Sequence, residues 1–126
     1  MIVLWYLEVS EDNFYPAAGI EEFVGTIPLR KEVNGWPLLM VRNGHDIYAF
    51  HNLCTHVRVR MNAARAVDGA IICPNHGARF DLRTGRCVGS TLGSIRDGLP
   101  PLTRFETRLV GDRVEVALPA VHPRRR

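Results

Sequence analysis

Two short segments, Cys54-Thr55-His56 and Cys73-Pro74-Asn75-His76-Gly77, decide the interpretation of this 126-residue chain. Sixteen residues separate the end of the first segment from the start of the second. Each segment supplies one thiol and one imidazole, which are both ligands for transition metals. Because each segment follows a β-rich run, we expect two loops to converge on one metal centre, with the ligands Cys54, His56, Cys73 and His76.

Two kinds of metal centre fit this ligand set. Zinc accepts two sulfurs and two nitrogens in a tetrahedron, but its usual motifs place two to four residues between paired ligands. Only Thr55 separates Cys54 from His56. One thiol and one imidazole in each loop suit a binuclear centre, where one iron takes both thiolates and the other takes both imidazoles. A structural zinc site remains the alternative.

Turn signals divide the flanking sequence into short strands. Four dipeptides, Asn34-Gly35, Asn43-Gly44, Asp68-Gly69 and Gly111-Asp112, contain residues that tolerate the positive φ of tight hairpin turns. We therefore predict an all-β protein, an antiparallel β-sandwich or small barrel built from hairpins. The predicted strands are Ile2–Val9, Leu38–Arg42, Ile47–Phe50, Ala64–Val67, Ala70–Cys73, Arg108–Val110 and Val114–Leu118.

Composition and length indicate one ordinary domain. Hydrophobic residues make up 46% and charged residues 23% of the chain, as in globular proteins. We expect residues 1–126 to form a single domain, too short to include a second, catalytic one. No apolar run approaches a membrane span, and the N-terminus lacks the pattern of a secretory signal, so we expect a cytoplasmic protein. Three cysteines favour metal or redox chemistry over a disulfide framework.

The net charge of +3 is unevenly distributed. Residues 54–90 contain six arginines and two aspartates, whereas residues 1–30 contain five acidic residues and one arginine. We expect the arginines near the cysteines to steer an acidic partner. Nucleic-acid binding is not expected, because no basic helical stripe or aromatic stacking motif is present. The basic end of the chain, residues 122–126 with Arg124–Arg126, is expected to be a flexible, solvated tail.

The two segments, together with Phe80-Asp81 and Thr84-Gly85 after the second, resemble the Rieske-type ferredoxins. These are electron carriers of bacterial multicomponent oxygenase systems, and the resemblance covers nearly the whole chain. It implies a cluster-binding subdomain of two loops at about residues 52–90, holding one Rieske [2Fe–2S] cluster. By this resemblance, Cys54 and Cys73 hold the inner iron, and His56 and His76 hold the outer iron.

The resemblance also implies the function. The expected protein is a non-catalytic ferredoxin that carries single electrons from an NAD(P)H-dependent reductase to a terminal oxygenase of aromatic hydrocarbon catabolism. It would act as a monomer with transient partners. High-potential relatives place a Ser and a Tyr hydroxyl beside the cluster sulfurs and link the two loops by a disulfide. This chain has Ala78, Phe80, Val59 and Asn75 at those positions, which predicts a low potential.

The third cysteine and the remaining histidines are expected to have ordinary structural environments. Cys87 is expected to be a small buried hydrophobe or free thiol, His51 an ordinary strand-end residue, and His45 and His122 solvated. The alternatives to a freestanding ferredoxin are a small Rieske subunit of a larger oxidoreductase, such as a nitrite-reductase-like complex, and a binding module with structural zinc.

Overall fold

The computed structural model describes residues 13–55, 58–74, 77–90 and 99–119, and the described residues form eleven strands without an α-helix. A 3₁₀ turn at Ile20–Glu22 follows the first strand. The all-β prediction is confirmed. The strands are β1 (Phe14–Gly19), β2 (Leu29–Val33), β3 (Trp36–Asn43), β4 (Asp46–His51), β5 (Arg65–Val67), β6 (Ala70–Ile72), β7 (Ala78–Asp81), β8 (Cys87–Ser90), β9 (Arg104–Phe105), β10 (Thr107–Val110) and β11 (Arg113–Ala117).

These strands form three antiparallel sheets. Their orders are β1-β11-β10, β2-β3-β4-β9 and β5-β6-β7-β8. The last sheet is a four-stranded meander in which each strand pairs with its sequence neighbour. The described part of the chain holds no helix long and apolar enough to cross a bilayer.

The sheet β2-β3-β4-β9 lies between two hydrophobic cores. Successive side chains of a strand point to opposite faces, so a strand buried on both faces has a continuous apolar sequence. In β3, Leu38 and Met40 pack into one core with Val114 and other residues of β11. Leu39 and Val41 pack into the other core, which also contains Cys54 and Cys73. One face of β3 therefore packs in the core that contains both cysteines.

Hairpin turns occur where the sequence predicts them, with one shift. Asn34-Gly35 and Asp68-Gly69 each have positive φ at both positions, as type I′ turns require. The turn between β3 and β4 is Gly44-His45 instead of Asn43-Gly44, because Asn43 pairs with Asp46 as the last rung of the ladder.

Strand β1 contains Pro16, which a sequence pattern normally excludes from a strand. It lies at the edge of its sheet, and its pairing with β11 shifts register between Pro16 and Ala18. Proline lacks the amide hydrogen that a ladder needs and is tolerated at edges and bulges. The predicted strand Ile2–Val9 and the predicted tail at 122–126 lie outside the described residues.

Candidate metal centre

Two loops of the same construction contain the two central cysteines. In the first, which we call loop one (Cys54–Val59), Cys54 N donates to Val59 O at 2.8 Å and Arg58 N donates to Cys54 O at 2.6 Å. In loop two (Cys73–Ala78), Cys73 N donates to Ala78 O at 2.8 Å and Gly77 N to Cys73 O at 3.1 Å. Both loops thus hold their cysteine with the same pair of main-chain hydrogen bonds.

The backbone conformation is also repeated at the fifth position of each loop. Arg58 has φ of 58° and Gly77 has φ of 72°. Glycine adopts this left-handed conformation without steric cost, whereas a side chain with a Cβ atom is strained there. Gly77 therefore suits its position, and Arg58 occupies the equivalent position under strain.

Both thiols are removed from solvent at the same core. Cys54 is 0% and Cys73 2% exposed, and both pack with Phe80 and Ala78 of β7. Neither is in a disulfide. Two buried thiols at the start of matching loops are suited to bind iron as thiolates, because charge on a buried sulfur is costly and a cation offsets it.

The other two predicted ligands, His56 and His76, lie outside the described residues. Among the described residues, no group of three or more Cys, His, Asp or Glu forms a metal site. The structure thus places Cys54 and Cys73 in one core, and the four-ligand set of Cys54, His56, Cys73 and His76 stays a prediction.

Asn52 stabilises the first loop, and the sequence did not reveal this role. Its side chain is buried, and its Oδ1 accepts a 2.7 Å hydrogen bond from Met61 N. Its Nδ2 donates to Asn62 Oδ1 at 3.3 Å, and its main-chain N donates to Pro37 O at 2.8 Å. Asn52 thus joins the start of the loop, the residues that follow it and strand β3. Nothing in the local sequence pattern around Asn52 indicates this role.

Residues 99–103, which we call the strap, connect the cluster-binding region to the rest of the protein. Thr55 Oγ1 donates a 2.6 Å hydrogen bond to Pro100 O. Leu102 N donates to Gly85 O at 2.8 Å, and His51 N donates to Thr103 O at 2.9 Å. The strap therefore contacts the first loop, the turn after β7 and the end of β4.

Gly85 allows the strap to lie close to the turn between β7 and β8. It has φ of 80°, and a Cβ atom built there would lie 2.5 Å from Leu102 O. Glycine is required at such a position both for its backbone conformation and for space. In the Thr84-Gly85 pair that follows the second loop, Gly85 thus makes room for the strap to pack.

The remaining sequence candidates have ordinary environments. His51 ends β4 and packs edge-on against Trp36, with ring centroids 5.1 Å apart, beside the core that does not contain the cysteines. Cys87 is a free, half-buried thiol opposite Phe80, and its Sγ lies 3.7 Å from Gly89 O. His45 is exposed. His122 lies outside the described residues.

The fold and the paired cysteine loops define an iron–sulfur domain of the Rieske class. The family model for the Rieske [2Fe-2S] domain matches residues 13–95, and the chain belongs to this family. Its cofactor is therefore a Rieske-type [2Fe–2S] cluster. The predicted family and cofactor are confirmed.

Comparison with known proteins points to ferredoxins within that family. The chain is 29% identical to the anthranilate 1,2-dioxygenase ferredoxin subunit of Burkholderia cepacia, over 86% of this chain and 95% of that protein. It matches the ferredoxin of carbazole 1,9a-dioxygenase from Nocardioides aromaticivorans IC177 with a TM-score of 0.73 and 25% identity, over 84% of this chain and 98% of that chain. A chain of the reduced complex between oxygenase and ferredoxin in carbazole 1,9a-dioxygenase shares the fold, with a TM-score of 0.77 and 19% identity, over 85% of this chain and 28% of that chain.

Proposed function

We propose that this chain is a ferredoxin component of an aromatic-ring oxygenase system, an electron carrier with no catalytic site of its own. The observation that carries the proposal is the pair of buried cysteines in loops with the same main-chain hydrogen bonds. The similarity to a dioxygenase ferredoxin subunit over 95% of that protein's length supports the same function.

The proposed ligands are two thiolates and two imidazoles. In this proposal, Cys54 and Cys73 would hold the inner iron, and His56 and His76 would hold the outer iron. The cluster, when bound, accepts and returns one electron at a time. No substrate bond is made or broken in this function, so the protein's contribution is to hold the cluster and set its potential.

The described residues perform that task in three ways. The main-chain hydrogen bonds of Cys54 and Cys73 fix the backbone positions of the two cysteines. This limits rearrangement of the site during electron transfer. The apolar side chains of Phe80, Leu39 and their neighbours exclude water from the inner side of the site. Thr55, through Pro100, holds the strap against the first loop.

We propose a low reduction potential, about −150 mV, at the bottom of the Rieske range. Ala78 and Phe80 are 1% and 0% exposed in the core that contains both cysteines, and neither carries a hydroxyl. Hydrogen bonds to cluster sulfurs stabilise the added electron and raise the potential, so their absence from these two side chains lowers it.

A low potential suits a carrier between a reductase and an oxygenase. The proposed donor is the flavin of an NAD(P)H-dependent reductase, and the proposed acceptor is a terminal oxygenase that acts on an aromatic compound. Both contacts are transient, and the carrier is a cytoplasmic monomer in this proposal. Short-lived complexes with small interfaces are typical of electron transfer.

Reconstitution tests the function. The purified holoprotein is added to an aromatic-ring dioxygenase whose reductase and oxygenase are present without their own ferredoxin, and NADH-dependent oxygen uptake is measured. We expect uptake to rise in proportion to the added protein and to require the aromatic substrate. Failure to couple in several such systems, together with purification as a tight hetero-oligomer, would support a Rieske subunit of a larger oxidoreductase instead.

A further inference from the structure

The arginines of the cluster-binding region form no salt bridges within the described part of the chain. The salt bridges described there join Lys31 to Glu22, and Arg108 and Arg113 to Glu115, all outside residues 54–90. The only carboxylates of that region are Asp68 and Asp81. Its arginines, which are exposed except for the half-buried Arg79, are Arg58, Arg60, Arg65, Arg79, Arg83 and Arg86.

Some of these arginines lie at opposite ends of the sheet β5-β6-β7-β8, as the strand register shows. Arg65 pairs with Ile72, the residue before Cys73, and therefore lies at the end that carries the second loop. Arg83 and Arg86 lie in the turn between β7 and β8, at the opposite end. With a rise of about 3.3 Å per residue, a strand of this sheet separates the two ends by about 10 Å or more.

Arg58 lies within the first loop itself. Its N–H is hydrogen-bonded to Cys54 O, and its φ of 58° is the conformation that Gly77 adopts in the second loop. Glycine at position 58 would satisfy the same backbone without strain. A strained residue that folding does not require is a sign of function at that position.

The loop also exposes an apolar side chain between two charges. Val59 is 43% exposed and is flanked by the exposed residues Arg58 and Arg60. Its main-chain O accepts the hydrogen bond from Cys54 N, so its position is fixed relative to the thiol. An apolar centre with a charged rim is the usual composition of a transient protein interface.

We infer that Arg58, Val59 and Arg60 form a docking surface for the carboxylate-rich face of a redox partner protein. The inference rests on the proposed electron-transfer function and adds the chemistry of the partner. Arg58 and Arg60 attract the acidic face over a distance of about one Debye length, and Val59 provides the contact where the two surfaces meet. Arg58 thus carries its positive charge within the loop that begins at Cys54.

Stopped-flow oxidation of the dithionite-reduced holoprotein measures this local charge without an identified partner. Hexacyanoferrate(III), a trivalent anion, stands in for a carboxylate-rich surface, and hexaamminecobalt(III) is the cationic counterpart. The second-order rate constant with the anion should fall as ionic strength rises, and that with the cation should rise.

The key variants are Arg58→Gly and Arg58→Asn, since both residues tolerate positive φ and both remove the charge. Each should slow oxidation by hexacyanoferrate(III) about threefold or more at low ionic strength, and accelerate oxidation by the cation. Arg58→Lys should retain the wild-type rates. Arg83→Gln removes the same charge at the far end of the sheet and should change the rates much less.

Thermal unfolding distinguishes a docking role of Arg58 from a structural role. Arg58→Gly should unfold at the same temperature as the wild type or higher, because it relieves strain, while its rate with the anion falls. Equal rates for Arg58→Gly, Arg58→Asn and the wild type, or an equal effect of Arg83→Gln, would overturn the inference. Absence of a reducible cluster in the wild type would instead contradict the proposed function.

Discussion

Thr55 Oγ1 donates a hydrogen bond to Pro100 O, a residue 45 positions later, at 2.6 Å. Thr55 lies between the predicted ligands Cys54 and His56, and Pro100 lies in the strap. The bond therefore joins the metal-binding loop to a segment that also contacts Gly85 and His51.

Replacing Thr55 by Val should accelerate loss of the cluster. Valine keeps the shape of threonine but cannot donate to Pro100 O, and a hydrogen bond contributes about 1 kcal/mol, which corresponds to about fivefold in an opening equilibrium. We expect iron release to a ferrous chelator to be about that much faster. Thr55→Ser, which keeps the hydroxyl, should restore most of the wild-type rate. Equal release rates for all three proteins would show that the strap does not protect the site.

Asn52→Ala should destabilise the first loop more than Asn62→Ala does. Without the Asn52 side chain, Met61 N is left buried and without a hydrogen bond, which costs about 1–3 kcal/mol. We expect a lower free energy of unfolding in urea and faster bleaching of the visible spectrum. The matched control is Asn62→Ala, which leaves the Met61 hydrogen bond intact and should have a small effect. A similar loss for both variants would contradict the assigned role of Asn52.

Glu115 should contribute to stability at neutral pH but not in acid. Its side chain accepts hydrogen bonds from Arg108 and Arg113, and the bond from Arg108 is the largest cause that lowers its pKa below the ordinary value of 4.5. A pKa lowered by folding adds stability above the unfolded-state value, and this contribution is lost as pH falls through the folded-state value.

Glu115→Gln should therefore lower the unfolding temperature at pH 7, and its difference from the wild type should narrow as pH falls below 4.5. Thermal unfolding followed by circular dichroism across this range checks the sign. Glu106→Gln, at an exposed position of the same region, serves as the control for loss of one negative charge. A difference that is constant with pH would mean that Glu115 acts through packing and not through its charge.

Hydroxyl groups introduced at Ala78 and Phe80 should raise the reduction potential. Both side chains are buried in the core that contains the two cysteines, so an added hydroxyl would have a sulfur of a bound cluster as its nearest acceptor in this proposal. One hydrogen bond of about 1 kcal/mol corresponds to about 40 mV for one electron, so we expect about that increase from Ala78→Ser and from Phe80→Tyr.

A dye-mediated redox titration measures these shifts. Cys87→Ala changes a residue opposite Phe80 that is not proposed as a ligand, and it should leave the potential and the visible spectrum unchanged. Bleaching of Cys87→Ala would mean that the ligand set is wrong. A wild-type potential above about +100 mV, in the upper part of the Rieske range, would contradict the low-potential proposal.

The sequence predicts the local features of this fold well. Asn34-Gly35 and Asp68-Gly69 are turns because their residues tolerate positive φ, a property that needs no tertiary information. The choice of Cys54 and Cys73 as candidate ligands is also local, since it depends only on the residue types within each short segment. Strand β9, only two residues long, pairs with β4 through a contact that no local pattern encodes.

The residues that position the two cysteine loops are harder to identify from the sequence. Thr55 and Pro100 are far apart in the chain, and their contact depends on how the strap packs over Gly85. In the sequence, Arg58 is one of six arginines of residues 54–90, and only its φ distinguishes it from the others. Long-range packing and backbone strain arise from the tertiary structure, so these residues are identified only when the fold is in hand.

Electron paramagnetic resonance of the dithionite-reduced protein, with iron and acid-labile sulfide quantified on the same sample, tests the central claim most directly. The account predicts two irons and two sulfides per chain, and a rhombic signal whose average g lies below the free-electron value, as expected for a [2Fe–2S] centre with histidine ligands. A colourless protein that contains zinc in place of iron and gives no signal would contradict it.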